Sequence, residues 1–188
     1  MFNILLDPLP TEWHGYKLNT DFRTGIQISQ AMSDAELTDN EKYYCIARLL
    51  FKDYGADIEE IAECCEWFFG GWNYDNHQKS EDDKTTIVSF DVDHGRIYSA
   101  FMSQYRINLN TAKMHFWEFM ILLSNLEECA FTRVIDIRSK KLTSKMTKEE
   151  KEAYKKGKKI YSLKVEEPNT PEEDEAEKAF LEAIGRSK

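Results

Sequence analysis

The residues best able to do chemistry lie close together at Asp91-Val92-Asp93-His94, where two carboxylates and an imidazole fall within four positions. Such a cluster could start a metal site or an acid–base pair. A metal site normally draws its ligands from distant parts of the chain, and no second cluster of His or Cys appears elsewhere in the sequence. The expected role is therefore helix initiation. Asp91 or Asp93 caps a following helix, and the helix dipole favours negative charge there. On that reading Asp93→Asn together with His94→Gln leaves the fold intact. His115 stands alone between apolar residues and reads as packed or solvent-facing. Cys45, Cys64, Cys65 and Cys129 all sit in apolar helical patterns and behave as small hydrophobes. Adjacent Cys64 and Cys65 have neither metal-ligand spacing nor a usual disulfide spacing, so a reducing compartment is the natural reading. No Ser or Cys occupies a nucleophile motif, and Gly70-Gly71 is followed by Trp72 rather than by a phosphate-loop Lys-Ser or Lys-Thr. The expectation is a protein that is not an enzyme, with no catalytic, cofactor-binding or metal-ligating residue.

Binding is the alternative to catalysis. Trp67, Phe68, Phe69, Trp72, Phe116, Trp117 and Phe119 are more large aromatics than one buried stripe can take. Core packing accounts for most of them. A surplus left at the surface would make an interface, because Trp and Tyr are favoured anchors there. Trp67, Phe69 and Trp72 are the candidate partner-binding residues.

The elements that must position these groups centre on Ser89–Arg138, the densest apolar and aromatic stretch of the chain. Ile97, Tyr98, Phe101, Met102 and Tyr105 repeat at helical spacing; Met114, Trp117, Phe119, Met120, Leu123 and Leu126 do so again. Phe116, Ile121 and Leu122 widen the second stripe so far that this helix belongs in the middle of the domain. The short polar join Arg106–Thr111 predicts an antiparallel helical hairpin, with Asn110 or Thr111 as the second cap. Before it, residues 2–20 read as one small β-hairpin turning near Gly15. Three helices follow over residues 22–71. The first, over 22–33, begins at Thr20 or Asp21, turns Phe22, Ile26, Ile28 and Met32 inward, and is weakened by Gly25. The second begins with a Thr38–Glu41 capping box and is closed by Gly55. The third opens at Asp57, holds Ile58, Ile61, Ala62, Cys65, Phe68 and Phe69 inside, and ends at Gly70-Gly71. Residues 72–86 read as a polar mobile loop, Ile87–Phe90 as briefly extended, and Cys129–Ile137 as a short helix.

The 188 residues fit one domain with appendages, and 41% hydrophobic content supports a real core. Net charge is −9 but is unevenly spread. Residues 138–164 hold eleven Lys or Arg against three Glu, a balance of +8. Residues 165–188 carry −5, which leaves −12 on residues 1–137. An acidic chain without groove-reading motifs is not expected to bind nucleic acid. No run of about 18 apolar residues is present, so no membrane partner is expected. The start MFNILLDPLP lacks a basic region and a cleavage site, so it does not read as a signal peptide. Two parts are expected: a mainly α core with its N-terminal hairpin over 1–142, and a charged, partly disordered extension over 143–188. The extension holds a Thr147–Glu150 capping box, an acidic tail from Val165, and one or two helical turns near Ala179–Ile184.

The central stretch also carries a family resemblance. Phe90, Asp91, Asp93, Ile97, Tyr98, Phe101, Tyr105, Ile107 and Leu109 form its first half. His115, Trp117, Phe119, Leu122, Leu126, Ile135 and Arg138 form the second. Over roughly residues 1–142 the chain resembles tail-assembly-chaperone-like or minor structural proteins of tailed bacteriophages. These are encoded just upstream of the tape-measure gene in phages and prophages of Gram-positive bacteria. Asp136 stands where that family usually has a Gly. The resemblance implies no catalytic residues. It implies a chaperone-like protein of the host cytoplasm, or also a minor virion component. Its partners would be the tape-measure protein and other tail proteins, the former shielded until tail-tube subunits polymerise around it. An acidic phage-encoded inhibitor of a host defence protein or enzyme is the alternative. A hydrolase ranks behind both.

Overall fold

The computed structural model describes residues 2–53, 55–72 and 87–163. Among them the chain is mainly helical, with one two-stranded antiparallel hairpin near the N-terminus. Its contacts divide it into two units, Met1–Lys141 and Leu142–Lys188.

The hairpin pairs β1 (Glu12–Trp13) with β2 (Tyr16–Lys17). Between them His14 and Gly15 have φ of 47° and 88°. Positive φ at both central residues is what a type I′ turn requires, and its twist matches the flanking strands. The hairpin is shorter than the expected span of 2–20. The Asn3 carbonyl accepts from the Leu6 and Asp7 amides at 2.9 and 2.8 Å. The Asn3 and Asp7 side chains close the same turn on backbone amides, and this local bonding competes with a strand. Past β2, the Asn19 amide donates to the Leu50 carbonyl at 2.7 Å and the Lys52 amide to the Lys17 carbonyl at 2.9 Å. These bonds tie the hairpin to the end of the second helix.

Three helices follow. α1 (Phe22–Ser33) starts at Asp21, whose carboxylate accepts the Arg23 amide at 2.9 Å. α2 (Asp39–Leu50) starts at the Thr38–Glu41 capping box and α3 (Ile58–Gly70) at a second one, Asp57 with Glu60. Each box satisfies two amides that a helix start leaves orphaned. α2 stops at Leu50, ahead of Gly55, where Leu18 and Phe51 form an antiparallel bridge. Ile28, Ile46, Leu50, Ile61, Cys64 and Phe68 form the shared interior. Met32 and Ile58, expected inside, are 45% and 58% exposed, since both lie in terminal turns.

Two glycines, one read as a weak point and one as part of a helix stop, are contact points. A Cβ on Gly25 would lie 2.1 Å from the Phe116 ring, and one on Gly71 would lie 2.4 Å from Trp117. Gly25 costs α1 about 1 kcal/mol of helix propensity. In return an aromatic ring lies directly on the helix backbone.

The central stretch folds into α4 (Phe90–Ala100), a π-helical turn (Phe101–Tyr105), α5 (Phe116–Ser124) and α6 (Ala130–Ser139). α5 is the hub. Phe116 stacks on Phe68 at 4.9 Å, and Phe119 stacks on Phe22 at 5.0 Å and Phe101 at 5.2 Å. Trp117 packs on Trp67 at 5.0 Å and donates its indole N–H to the Phe68 carbonyl at 2.7 Å. The expected helical hairpin is looser than its short join suggested. α4 packs mainly on α6 and α1, α5 mainly on α1, and the Phe101–Phe119 stack links the two arms. α5 also begins later than Asn110 or Thr111. Arg23 donates to the carbonyls of Leu109, Asn110 and Ala112 at 2.6, 3.2 and 3.0 Å, holding that segment out of a helix.

In the second unit, α7 (Lys148–Ile160) begins at the Thr147–Glu150 capping box and buries no residue. Glu149 and Glu150 in its first turn and Lys158 and Lys159 in its last complement the helix dipole. The expected mobile loop falls mostly outside the described residues, and the acidic tail and the turns near Ala179–Ile184 fall wholly outside them.

Candidate functional site

Asp93 is not a cap. Ser89 caps α4, and its hydroxyl accepts the Val92 amide at 3.4 Å. Asp93 is wholly buried, as is nearly all of the Arg138 side chain. The two form a fork at 2.6 and 3.1 Å, Arg96 donates to the same carboxylate at 3.2 Å, and the Ser89 amide donates at 3.1 Å. Arg138 also donates to the Ile87 carbonyl at 2.9 Å. This network joins α4 to α6. Replacing that carboxylate by a neutral amide takes the charged fork away from buried Arg138, so Asp93→Asn is expected to destabilise the fold, where the sequence reading expected it intact. A signal was present: Asp93 stands four residues before Ile97, on the buried side of α4, where an unpaired carboxylate could not stay.

His115 caps α5. Its Nδ1 accepts the Trp117 amide at 3.0 Å, so Nε2 carries the proton and donates to the Pro10 carbonyl at 2.9 Å. Burial pushes its pKa below the ordinary value, against a smaller opposing pull from Pro10. The cysteines are free. Burial, with the neighbouring Cys65 adding to it, pushes the Cys64 thiol up to about 12, and burial pushes Cys65 up to about 11. Both stay protonated at neutral pH and are poor nucleophiles.

Trp67 and Phe69 near the end of α3, and Trp72 just past it, are half-buried. Trp67 lies on Trp117, Phe69 meets Phe116 edge-on at 5.0 Å, and Trp72 donates to the Phe69 carbonyl at 2.9 Å. All three pack against the core and keep one side exposed.

The first unit also holds an open cleft of about 720 Å³, which sequence reasoning did not find. Phe22, Ile26 and Gln30, one turn apart on α1, form one wall. Phe90, His94 and Tyr98, one turn apart on α4, form the other. Ile97 and Phe119 line it deeper in, and Leu109 and Asn110 also border it. Ile26, Phe90, Tyr98 and Leu109 are only half-buried, so the apolar walls reach solvent. Gln30 donates its amide to the Asp91 carboxylate across the cleft. His94 Nδ1 donates to the Asp91 carbonyl at 2.8 Å, so His94 is bonded to backbone and not to a carboxylate. The legible hint was the i, i+4, i+8 repeat of large residues on two helices. Nothing local said that the two repeats would face each other.

Residues 5–163 match the protein family described as "Bacteriophage Gp15 protein". The chain belongs to that family. No curated protein and no solved structure matches it. The family assignment places this Gp15-family chain among bacteriophage proteins and covers both the cleft and α7. Among its described residues no helix is long and apolar enough to cross a membrane, and no three His, Cys, Asp or Glu gather as a metal site.

Proposed function

We propose that this Gp15-family protein is a tail-assembly protein that binds the tape-measure protein during tail morphogenesis, as a chaperone and not as an enzyme. The setting would be the host cytoplasm, in phages of Gram-positive bacteria. The observation that carries the reading is the open cleft between α1 and α4. Apolar walls with a polar rim suit the apolar stripe of an amphipathic helix, the standard helix-in-groove mode. A tape-measure protein is long and helical and exposes such stripes until it is enclosed. The half-buried Trp67, Phe69 and Trp72 offer further apolar surface to such a partner. Co-expression of the full chain with the tape-measure protein of the same phage tests the reading. The expected result is a soluble tape-measure protein that co-purifies with the chain. A tape-measure protein that stays insoluble and is not captured would refute it.

One observation favours the second reading, an acidic inhibitor. Glu59, Glu63 and Glu66 are exposed at helical spacing on α3. Reversing all three to Lys separates the readings: the tape-measure reading expects capture to persist.

A further inference from the structure

Gly95 stands in the middle of α4 and lines the cleft. Unlike Gly25 and Gly71, it has nothing within 4 Å of the place a Cβ would occupy. Nor does it have a positive φ. A mid-helix glycine lowers helix stability, and neither backbone geometry nor packing within the chain requires this one. A glycine that the fold does not require, on the lining of an open cleft, leaves room for the close approach of another backbone.

The charge of the rim narrows the visitor. The Arg23 guanidinium is already engaged by Asp21 at 3.3 Å and by three backbone carbonyls. It makes no demand for an anion. Asp91 is exposed, accepts only from the neutral Gln30 amide, and joins no ion pair among the described residues. The cleft therefore presents an apolar floor with an uncompensated negative charge beside Gly95. The α4 wall from residue 90 to 98 rises about 12 Å, enough to seat roughly two turns of a helix.

We propose that the cleft between α1 and α4 seats an amphipathic helix whose apolar stripe enters between Ile26 and Phe90, whose backbone passes over Gly95, and whose adjacent basic residue pairs with Asp91. This rests on the tape-measure reading and names the segment of that partner that is recognised: an apolar helical stripe flanked by Lys or Arg. Exposed aromatics alone would set no such charge requirement.

The test uses the full chain and overlapping helical peptides of the same phage's tape-measure protein, with binding read by fluorescence anisotropy. Wild type is expected to select peptides that carry a basic residue beside an apolar stripe. Gly95→Leu should weaken that binding about tenfold or more by filling the approach path. Gly95→Ala should raise the Tm by about 2–4 °C while weakening binding, so stability and affinity move in opposite directions. Asp91→Lys should weaken binding a few-fold at low salt and less at high salt. If wild type captures the tape-measure protein and the Gly95 and Asp91 variants capture it equally well, the cleft proposal is overturned and the tape-measure reading stands. If wild type captures nothing, both fall.

Discussion

α5 and α7 are opposite solutions to the same requirement, that a helix justify its ordering entropy. α5 buries Phe116, Trp117, Phe119 and Leu123 and is held by aromatic contacts to α1, α3 and the π-helical turn. α7 fully buries no residue and is supported by its capping box and its terminal charges. A helix whose buried face is used up by the fold has little to lend to a partner. A helix with no fully buried residue has little rigid backing behind the surface it presents. α4 lies between them: one side carries buried Asp93, Ile97 and Ala100, and another carries Phe90, His94 and Tyr98 along an open cleft. Rigid backing with an uncommitted face is the combination that recognition needs.

The largest effect should come from α5. Trp117→Ala removes a fully buried ring and leaves the Phe68 carbonyl without its donor, so a loss of about 3–5 kcal/mol is expected. Thermal melts against Lys113→Ala as an exposed control decide it. Equal melting of the two variants would mean that α5 is not the hub and that its contrast with α7 is false.

Next is the buried face of α4. Asp93→Asn leaves Arg138 with a neutral partner in a dry site. The expected cost is about 3 kcal/mol, the lower end for breaking a buried pair. Arg138→Met should cost a similar amount, and the double variant much less than the two losses added, because neither charge is then stranded. Strictly additive losses in chemical denaturation would show that the two residues do not act together.

The contrast between these faces also explains what could be read from the sequence. The capping boxes at Thr38 and Thr147 lie within four residues each, so local pattern exposed them, and Asp57 read as a helix start without its Glu60 partner. The partner of Asp93 lies 45 residues away, and no local pattern connects them. Gly25 read as a weak point and Gly71 as a helix stop because the rings that need them, on Phe116 and Trp117, belong to a distant helix. The late start of α5 depends on Arg23, also far off in sequence. The cleft is a meeting of two legible faces, but which faces meet is set by the whole core.

A smaller effect should come from pH at the start of α5. Burial lowers the His115 pKa in the folded protein, while the unfolded side chain titrates near its ordinary value of about 6.5. Below that value the unfolded state binds the extra proton first, so stability is present above about pH 6.5 and falls as pH falls. Protonation also removes the Nδ1 acceptor for the Trp117 amide. Between pH 7 and 5 the wild type should lose more stability than His115→Asn, which caps without titrating. Parallel losses in the two proteins would show that His115 is not the titrating cap.

The smallest effect should come from removing α7 and the chain beyond it. α7 has no fully buried side chain. A 13-residue helix with no fully buried side chain is marginal in water, and its capping box and terminal charges contribute only a few tenths to about 1 kcal/mol each to its own formation. Residues 1–142 should therefore fold alone and melt close to the full-length chain. A large fall in Tm, or an insoluble fragment, would mean that the extension supports the core. Capture of the tape-measure protein gives a separate measure. If the cleft is the seat, soluble 1–142 should keep most of the affinity. What it loses should be salt-sensitive, because residues 138–164 carry +8 and the core −12. Capture abolished at every salt concentration in a well-folded 1–142 would move the binding surface to α7 and reverse the order between a rigid, half-committed helix and a helix with no fully buried residue.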